Sequence, residues 1–340
     1  MGLKRTILDA AHRSGGLRGT GAAFGPRALR VLAYHRVTDV GPDFVTFRGN
    51  VSASPEEFAA QMDEVAERYH PVGLDRVLAA IEGGPELPRR AVLVTFDDGY
   101  RDNLTVALPV LAERGIPAVL FAATDAIDTN HGFWWDRVAW CFAHAARDAA
   151  DLPEAGRRSW SDLPAREVVT RGYIEFLKTL PEPRKADAVA ALPEALGVTI
   201  PDDAFAGLAL EWDEVRAMAD TGVVIDAHTC SHPVLSRVDL DRARDEIRGS
   251  RDRIAAETGR VPVTFAYPNG HPADYTDAVV DTVADAGFRA AFTLVPGPAR
   301  RRELIGDPLR IRRIYVHHGD DRARFAAKLA GVPRLVGALR

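Results

Sequence analysis

The sequence predicts an α/β fold, a barrel of about seven parallel strand–helix units with one helical insertion, and three observations carry that prediction. Short apolar runs alternate with segments of helical spacing along most of the chain. One run, Ala91-Val92-Leu93-Val94, leads into Thr95-Phe96-Asp97-Asp98-Gly99-Tyr100, with two adjacent carboxylates and a glycine beneath them. Another, Val223-Val224-Ile225-Asp226-Ala227, leads into His228-Thr229-Cys230-Ser231-His232. Such runs read as buried strands, and the C-terminal edge of a parallel sheet is where α/β proteins assemble their sites. One Asp with two His is a donor set suited to a metal.

In chain order, strands are expected over residues 30–34, 91–96, 118–122, 223–227, 264–267, 290–293 and 313–316. Between them, Ser54-Pro55-Glu56-Glu57 reads as an N-cap followed by proline at the first helical position, where no amide donor is needed, and opens a helix to about residue 69. Residues 103–114, 213–221, 239–257 and 275–286 repeat the helical spacing of apolar positions. About seven such units fit a barrel better than a pair of domains. The alternation breaks at about 125–210, where helical patterns and several prolines occur with no clear strand, so this stretch reads as a helical insertion. Its cluster Phe133-Trp134-Trp135-Asp136 is either a sugar-stacking wall or the anchor that packs the insertion on the barrel. The anchor reading is preferred because large aromatics dominate cores.

Composition frames the rest. The 340 residues, 46% hydrophobic and 27% charged, suit a soluble globular protein with a sizeable core. A net charge of -5 with 43 Lys and Arg spread along the chain argues against a nucleic-acid partner. The dense basic cluster of Arg300, Arg301, Arg302, Arg310, Arg312 and Arg313 reads as a solvated loop. Two cysteines, Cys141 and Cys230, suggest no disulfide framework and fit a reducing compartment. Residues 1–28 read as a short amphipathic helix and a Gly-rich linker, with Lys4-Arg5 but no continuous apolar stretch before Asp9 and His12. A secretory signal and a membrane-spanning helix are therefore not expected, and a cytoplasmic location is. A surface helix is preferred there over peripheral membrane contact. The domain reading is 1–28 helix and linker, 29–320 catalytic domain, and 321–340 C-terminal helical tail.

Together with Phe265-Ala266-Tyr267-Pro268-Asn269-Gly270 and Ala33-Tyr34-His35-Arg36-Val37, the two strand-end clusters resemble the polysaccharide deacetylase family, carbohydrate esterase family four, built on the NodB homology domain. The resemblance runs in order over roughly residues 30–318. Its first-strand motif is similar to a branch acting on exopolysaccharide or biosynthetic glycan intermediates. It implies a distorted (β/α)7 barrel of the NodB-homology type, and a divalent metal held by Asp98, His228 and His232. Zinc is the default, with cobalt, nickel, manganese and iron accepted by the same donors. Asp97 is then better used as a general base than as a fourth ligand, because adjacent side chains on an extended segment point opposite ways.

Each residue also has a plainer reading. Asp-Asp-Gly is a common turn signal, and two histidines four apart can be a surface pair. The combination with the family pattern favours the functional one. Asp226 either orients one imidazole through its second nitrogen or points elsewhere. Cys230 reads as a small semi-buried hydrophobe rather than a thiolate ligand. The resemblance implies that the loop after Pro268 supplies a backbone N–H to an oxyanion, by position that of Asn269, although Pro-Asn-Gly also suits an ordinary turn.

Two departures stand out. Many family members carry an arginine in the third motif to orient the catalytic Asp, and here that position is Ala266. Arg313, at the start of a late strand, is the candidate replacement, with surface exposure the competing reading. The late Leu-x-His motif that supplies a general acid is not clear, and His317 and His318 do not match it. His35, ending the first strand run, is the stronger candidate to protonate the leaving amine or orient a neighbour, and a partly buried structural histidine is the alternative. His271 is a weaker option.

The expected function is removal of an N-acetyl group from an acetylated amino sugar in a polysaccharide, a lipid-linked glycan or a small glycoside. O-acetyl esterase and ring-amide hydrolase are the alternatives on the same fold. A non-catalytic carbohydrate-binding protein is the alternative from another class, and the retained Asp97 argues against it.

Overall fold

The computed structural model describes Phe24 and residues 27–337. The helix and linker expected over residues 1–28 therefore fall almost entirely outside the described residues.

Seven strands form the barrel: β1 (Arg30–Tyr34), β2 (Ala91–Asp98), β3 (Ala118–Ala122), β4 (Val224–Ala227), β5 (Thr264–Ala266), β6 (Ala290–Pro296) and β7 (Ile311–Tyr315). Each pairs in parallel with its neighbour in chain order, and β7 closes onto β1 through Leu32↔Ile314 and Ala33↔Tyr315. The fold is the expected closed seven-stranded α/β barrel. Strands buried on both faces explain why the runs are continuously apolar rather than alternating. Alternate residues nonetheless feed two cores. Leu32, Val94, Leu120, Ile225, Phe265 and Ile314 pack with helix residues such as Phe58, Val215 and Ile247, while Val31, Leu93, Val119, Phe121 and Phe292 face the barrel axis.

Strand β2 continues beyond residue 96 because Asp97 and Asp98 stay in register with Phe121 and Ala122 of β3. That extension carries both carboxylates to the strand's C-terminal edge. Three shorter pieces had no apolar signal in the sequence: Arg36–Val37 pairs with Val51–Ala53, and His70–Pro71 pairs with the start of β2.

The helices around the barrel begin with α1 (Pro55–Arg68), α2 (Leu74–Ile81) and α3 (Leu108–Glu113). Ser54 Oγ accepts the Glu57 N–H at 3.1 Å and the Glu57 carboxylate accepts the Ser54 N–H at 2.9 Å, a reciprocal cap that satisfies two orphan donors of α1. The insertion contributes α4 (Trp134–His144), α5 (Leu163–Leu177) and α6 (Glu182–Leu196), and the outer ring resumes with α7 (Trp212–Asp220), α8 (Leu240–Thr258) and α9 (Asp277–Asp285). The short α10 (Arg301–Gly306) precedes β7, and α11 (Arg322–Leu329) and α12 (Val332–Gly337) follow it.

The insertion owns a separate core, built from Trp135, Trp140, Phe142, Tyr173, Leu177 and Leu192. It is not purely helical. Ala149–Leu152 and Gly156–Ser159 form an antiparallel hairpin, turned through residues 153–155, with φ 63° at Glu154 and 69° at Gly156. Its second strand, Gly-Arg-Arg-Ser, is exposed throughout, so it carries no apolar pattern to read. Among the described residues no helix is long and apolar enough to cross a membrane.

Candidate active site

The site is built where β1, β2, β4 and β5 end and where β7 passes the axis. Seven non-glycine residues have a positive φ among the described residues, and four of them, Asp98, Thr229, His232 and Asn269, lie in the strand-end motifs. Such conformations cost about 1 kcal/mol or more each and persist where the surroundings impose them. At Asp98, with φ 78°, the turn aims the side chain at the loop that follows β4.

Asp98 Oδ1 lies 3.6 Å from His228 Nε2 and 3.5 Å from His232 Nε2. The three ligand atoms fall within 4.8 Å of one another, all on buried residues. Two donors about 2.1 Å from a tetrahedral ion stand roughly 3.4 Å apart, so these separations fit shared coordination better than direct hydrogen bonding. Asp98 Oδ1 is buried and has no hydrogen-bond partner, which a shared cation would supply. His228 Nδ1 sits 2.7 Å from the Ala266 carbonyl, which can only accept. Nδ1 therefore carries the proton, and the Nε2 lone pair is free for a metal. Burial, helped by the neighbouring His228, holds His232 well below the usual imidazole range and so in its neutral, ligating form. The residues present fit a divalent ion.

The loop from His228 to His232 has its own support. Glu246 of α8 accepts the N–H groups of Cys230 and Ser231 at 2.8 Å each and the Ser231 hydroxyl at 2.5 Å. The His232 N–H donates to Thr229 Oγ1 at 3.1 Å. Cys230 is a free thiol, half-buried behind the loop, and burial pushes it up to about 11. Asp226 orients neither imidazole. Its carboxyl accepts the Val263 and Thr264 N–H groups at 3.1 and 3.0 Å and the Thr264 hydroxyl, capping donors at the start of β5 that would otherwise be orphaned.

Asp97 points to the barrel axis, where Arg313 meets it. Nη1 donates to Oδ1 at 2.6 Å and Nη2 to Oδ2 at 2.8 Å, and the Arg313 Nε donates to the Thr293 carbonyl at 3.0 Å. The side chain of Arg313 is 0% exposed, which separates it from the solvated basic cluster in which the sequence reading had also counted it. The alternation along β7 explains this, since Arg312 and Arg313 must face opposite ways. Burial opposes ionisation of Asp97, but the charges of Arg313, His228 and His35 outweigh it and hold the carboxyl below its ordinary value. His35 Nε2 stands 4.0 Å from Asp97 Oδ2, and its ring packs edge-on to Tyr315 with centroids 5.0 Å apart. Burial lowers the His35 imidazole, partly offset by Asp98 and Asp97.

The structure thus gathers Asp97, Asp98, His35, His228, His232 and Arg313. Asn269 stands apart, on the loop after β5 with φ 60°, half-buried and with no partner for its N–H among the described residues. His271 is exposed, and its N–H donates to the Asp274 carboxylate at 2.8 Å. His318 pairs with Glu57 at the surface, while the exposed His317 rests on Tyr315. The Phe133-Trp134-Trp135-Asp136 cluster packs inward. Phe133 and Trp135 stack with centroids 4.7 Å apart, and Trp135 meets His232 edge-on at 4.7 Å. Asp136 is 0% exposed, and burial, opposed by Arg36, pushes its carboxyl up to about 6.

Sequence reasoning missed the Ala266 carbonyl, Glu246 and the contacts of Asp136. A backbone acceptor leaves no residue signal. Glu246 does, because it occupies a position in the buried stripe of α8 with Ala243, Ile247, Ser250 and Ile254, where an acid is out of place without a partner.

Comparison with known proteins adds an independent line. A family model described as polysaccharide deacetylase matches residues 84–291, more than half of the chain. A poly-beta-1,6-N-acetyl-D-glucosamine N-deacetylase of Escherichia coli is 34% identical over 98 residues. That match spans 29% of this chain and 14% of the relative, so the chain covers only a small part of that protein's length. Among solved structures, IcaB from Ammonifex degensii superposes with a TM-score of 0.58 at 21% identity, covering 90% of this chain and 98% of that one. The Streptococcus pyogenes deacetylase PplD in complex with acetate gives 0.55 at 18% identity, covering 86% and 93%. At these identities the superpositions speak for the fold.

Proposed function

Since this chain belongs to the polysaccharide deacetylase family, we propose that it is a metal-dependent hydrolase removing the N-acetyl group from an acetylated amino sugar of a glycan. The observation that carries the reading is the unpartnered Asp98 Oδ1 between two imidazole Nε2 atoms, beside an Asp97 held by Arg313. Asp98, His228 and His232 would hold the ion, with zinc the first choice for one carboxylate and two imidazoles. When bound, a divalent ion supplies Lewis acidity, lowering the pKa of water from about 15.7 towards about 7 and polarising the acetyl carbonyl.

The chain's own groups do the rest. Asp97, ionised at neutral pH and unable to rotate out of the Arg313 fork, takes the proton of the attacking water. To the developing oxyanion we assign the backbone N–H of Asn269, which has no partner among the described residues. As the C–N bond breaks, acetate keeps the acyl carbon and the sugar nitrogen takes the proton that Asp97 accepted from water, a transfer we assign to His35, whose Nε2 stands 4.0 Å from Asp97 Oδ2. The substrate class follows the relatives, one described as acting on poly-beta-1,6-N-acetyl-D-glucosamine.

The test is acetate release from N-acetylated and O-acetylated glycans by metal-reconstituted protein, with Asp97→Asn and His228→Ala alongside. Release from an N-acetyl substrate, reduced about 10²- to 10⁴-fold in Asp97→Asn, supports the assignment. Release confined to O-acetyl substrates makes the protein an esterase. No acetate from any substrate at full metal occupancy overturns the deacetylase reading in favour of a ring-amide hydrolase or a binding protein.

A further inference from the structure

Asp136 has no part in the chemistry above, yet it is a fully buried carboxylate at the start of α4, supplied by the insertion. Its Oδ1 accepts the Phe47 N–H at 2.8 Å and its Oδ2 accepts the Tyr100 hydroxyl at 2.8 Å. An ionised carboxylate only accepts, so Tyr100 must spend its single proton there. The phenol oxygen is left as an acceptor, and it takes the Trp135 Nε1–H at 2.7 Å and the Asn50 Nδ2–H at 3.5 Å. Asn50 Nδ2 also reaches Asp98 Oδ2 at 3.4 Å. The Trp135 ring in turn stands edge-on to His232. One buried charge therefore sets the direction of the Tyr100 hydroxyl, the group that can either donate or accept in a network that ends on two members of the metal-ligand set.

We propose that Asp136 is a positioning residue for the metal site, acting through Tyr100 to hold Trp135 against His232 and Asn50 on Asp98. The arrangement caps Oδ2 of Asp98, leaves Oδ1 free towards the two imidazoles, and walls His232 in on the side of the insertion. The insertion thereby completes the back of the site. This inference rests on the reading of Asp98, His228 and His232 as a divalent-metal site.

Asp136→Asn preserves shape and inverts the network. The asparagine oxygen stays on the Phe47 N–H, its amide N–H faces Tyr100, and the phenol proton is turned upon the Trp135 and Asn50 donors. The experiment is a Co²⁺ titration of the full-length metal-free protein, read by its visible absorption bands and repeated with Zn²⁺ in competition. Asp136→Asn is expected to weaken Co²⁺ binding about 10- to 100-fold and to alter the band shape. Tyr100→Phe should cost less, and Asp136→Asn/Tyr100→Phe should return to the Tyr100→Phe level, because removing the hydroxyl removes the donor conflict. A merely structural role predicts a double variant no better than Asp136→Asn. Either that result or wild-type Co²⁺ affinity and spectrum in Asp136→Asn overturns the proposal. Should Asp136→Asn not fold, Tyr100→Phe decides alone, and unchanged Co²⁺ affinity overturns the proposal. A wild-type protein that takes up no Co²⁺ or Zn²⁺ instead overturns the metal site itself, and the inference with it.

Discussion

Arg313 and Asp97, 216 residues apart in sequence, meet at the barrel axis through two parallel hydrogen bonds of 2.6 and 2.8 Å. Neither side chain is more than 1% exposed. Two further guanidinium N–H groups are taken up as well, by the Thr293 carbonyl and by Thr95 Oγ1 at 3.4 Å. A carboxylate gripped in this way is oriented and kept ionised, which is what a base serving a strongly acidified water requires.

Breaking that pair reverses its pH dependence. In the wild type the carboxyl of Asp97 is held below its ordinary 3.8, so its contribution to stability is present above 3.8 and is lost as pH falls through the lower folded value. In Arg313→Met burial acts with far less opposition, the folded value rises, and the penalty appears as pH rises instead. Urea unfolding should show a loss of about 3–5 kcal/mol at pH 7 and a smaller one at pH 4. An equal loss at both would show that Asp97 does not feel the guanidinium. Arg313→Lys should recover only part, since a point charge cannot span both oxygens.

Glu246 holds the loop between His228 and His232 by three hydrogen bonds from Cys230 and Ser231. Glu246→Ala leaves the part-buried Cys230 and Ser231 amides without their acceptor, and a loss of about 1 kcal/mol is expected, together with weaker Zn²⁺ binding. Amide exchange over residues 229–232 is the direct check. Protection unchanged in the variant would mean that the loop is held by other contacts.

Gly270 has φ 70°, and a β-carbon there would meet the Leu294 backbone nitrogen at 2.7 Å. Both the conformation and the contact with rigid backbone penalise a side chain. Gly270→Ala should lose about 1–3 kcal/mol and displace the Asn269 N–H, lowering kcat more than it raises KM. A variant with wild-type kcat and melting temperature would remove Asn269 from the oxyanion role.

Glu303 and Arg334 join α10 to α12 through contacts of 2.5 and 3.0 Å. Burial opposes the charge, but the Arg334 bonds and the Arg300 N–H bring the Glu303 carboxyl down to about 2, against an ordinary 4.5. Its stabilisation is therefore present above 4.5 and lost as pH falls through 2. Glu303→Gln should cost about 1 kcal/mol at neutral pH, with the difference closing as pH approaches 2. A pH-independent difference in thermal midpoints would assign the cost to packing.

The barrel was legible because its signal is local. Each strand is a short apolar run bounded by turn residues, and the Ser54 N-cap followed by Pro55 announces α1 without help from the rest of the chain. The hairpin of the insertion was not legible, because Gly156–Ser159 is solvated on both faces and holds its partner by backbone hydrogen bonds and one exposed Arg157–Asp151 ion pair. Asp226 shows the limit for polar residues. Its neighbourhood in sequence pointed to the histidines, and its partners proved to be the first donors of the next strand.

The sequence by itself determined the residue types at the strand ends and their order, since an Asp-Asp pair and a His-x-x-x-His segment each close an apolar run. It also carried the family resemblance, spread over motifs hundreds of residues apart. Only the tertiary structure decided which of these side chains meet. Closing β7 onto β1 brings Arg313 to Asp97, a backbone carbonyl at Ala266 sets the proton on His228, and the insertion delivers Asp136 and Trp135 behind Asp98 and His232. Periodicity reports which face of an element is buried, whereas partners across a barrel are chosen by strand register and closure, which depend on the whole chain at once.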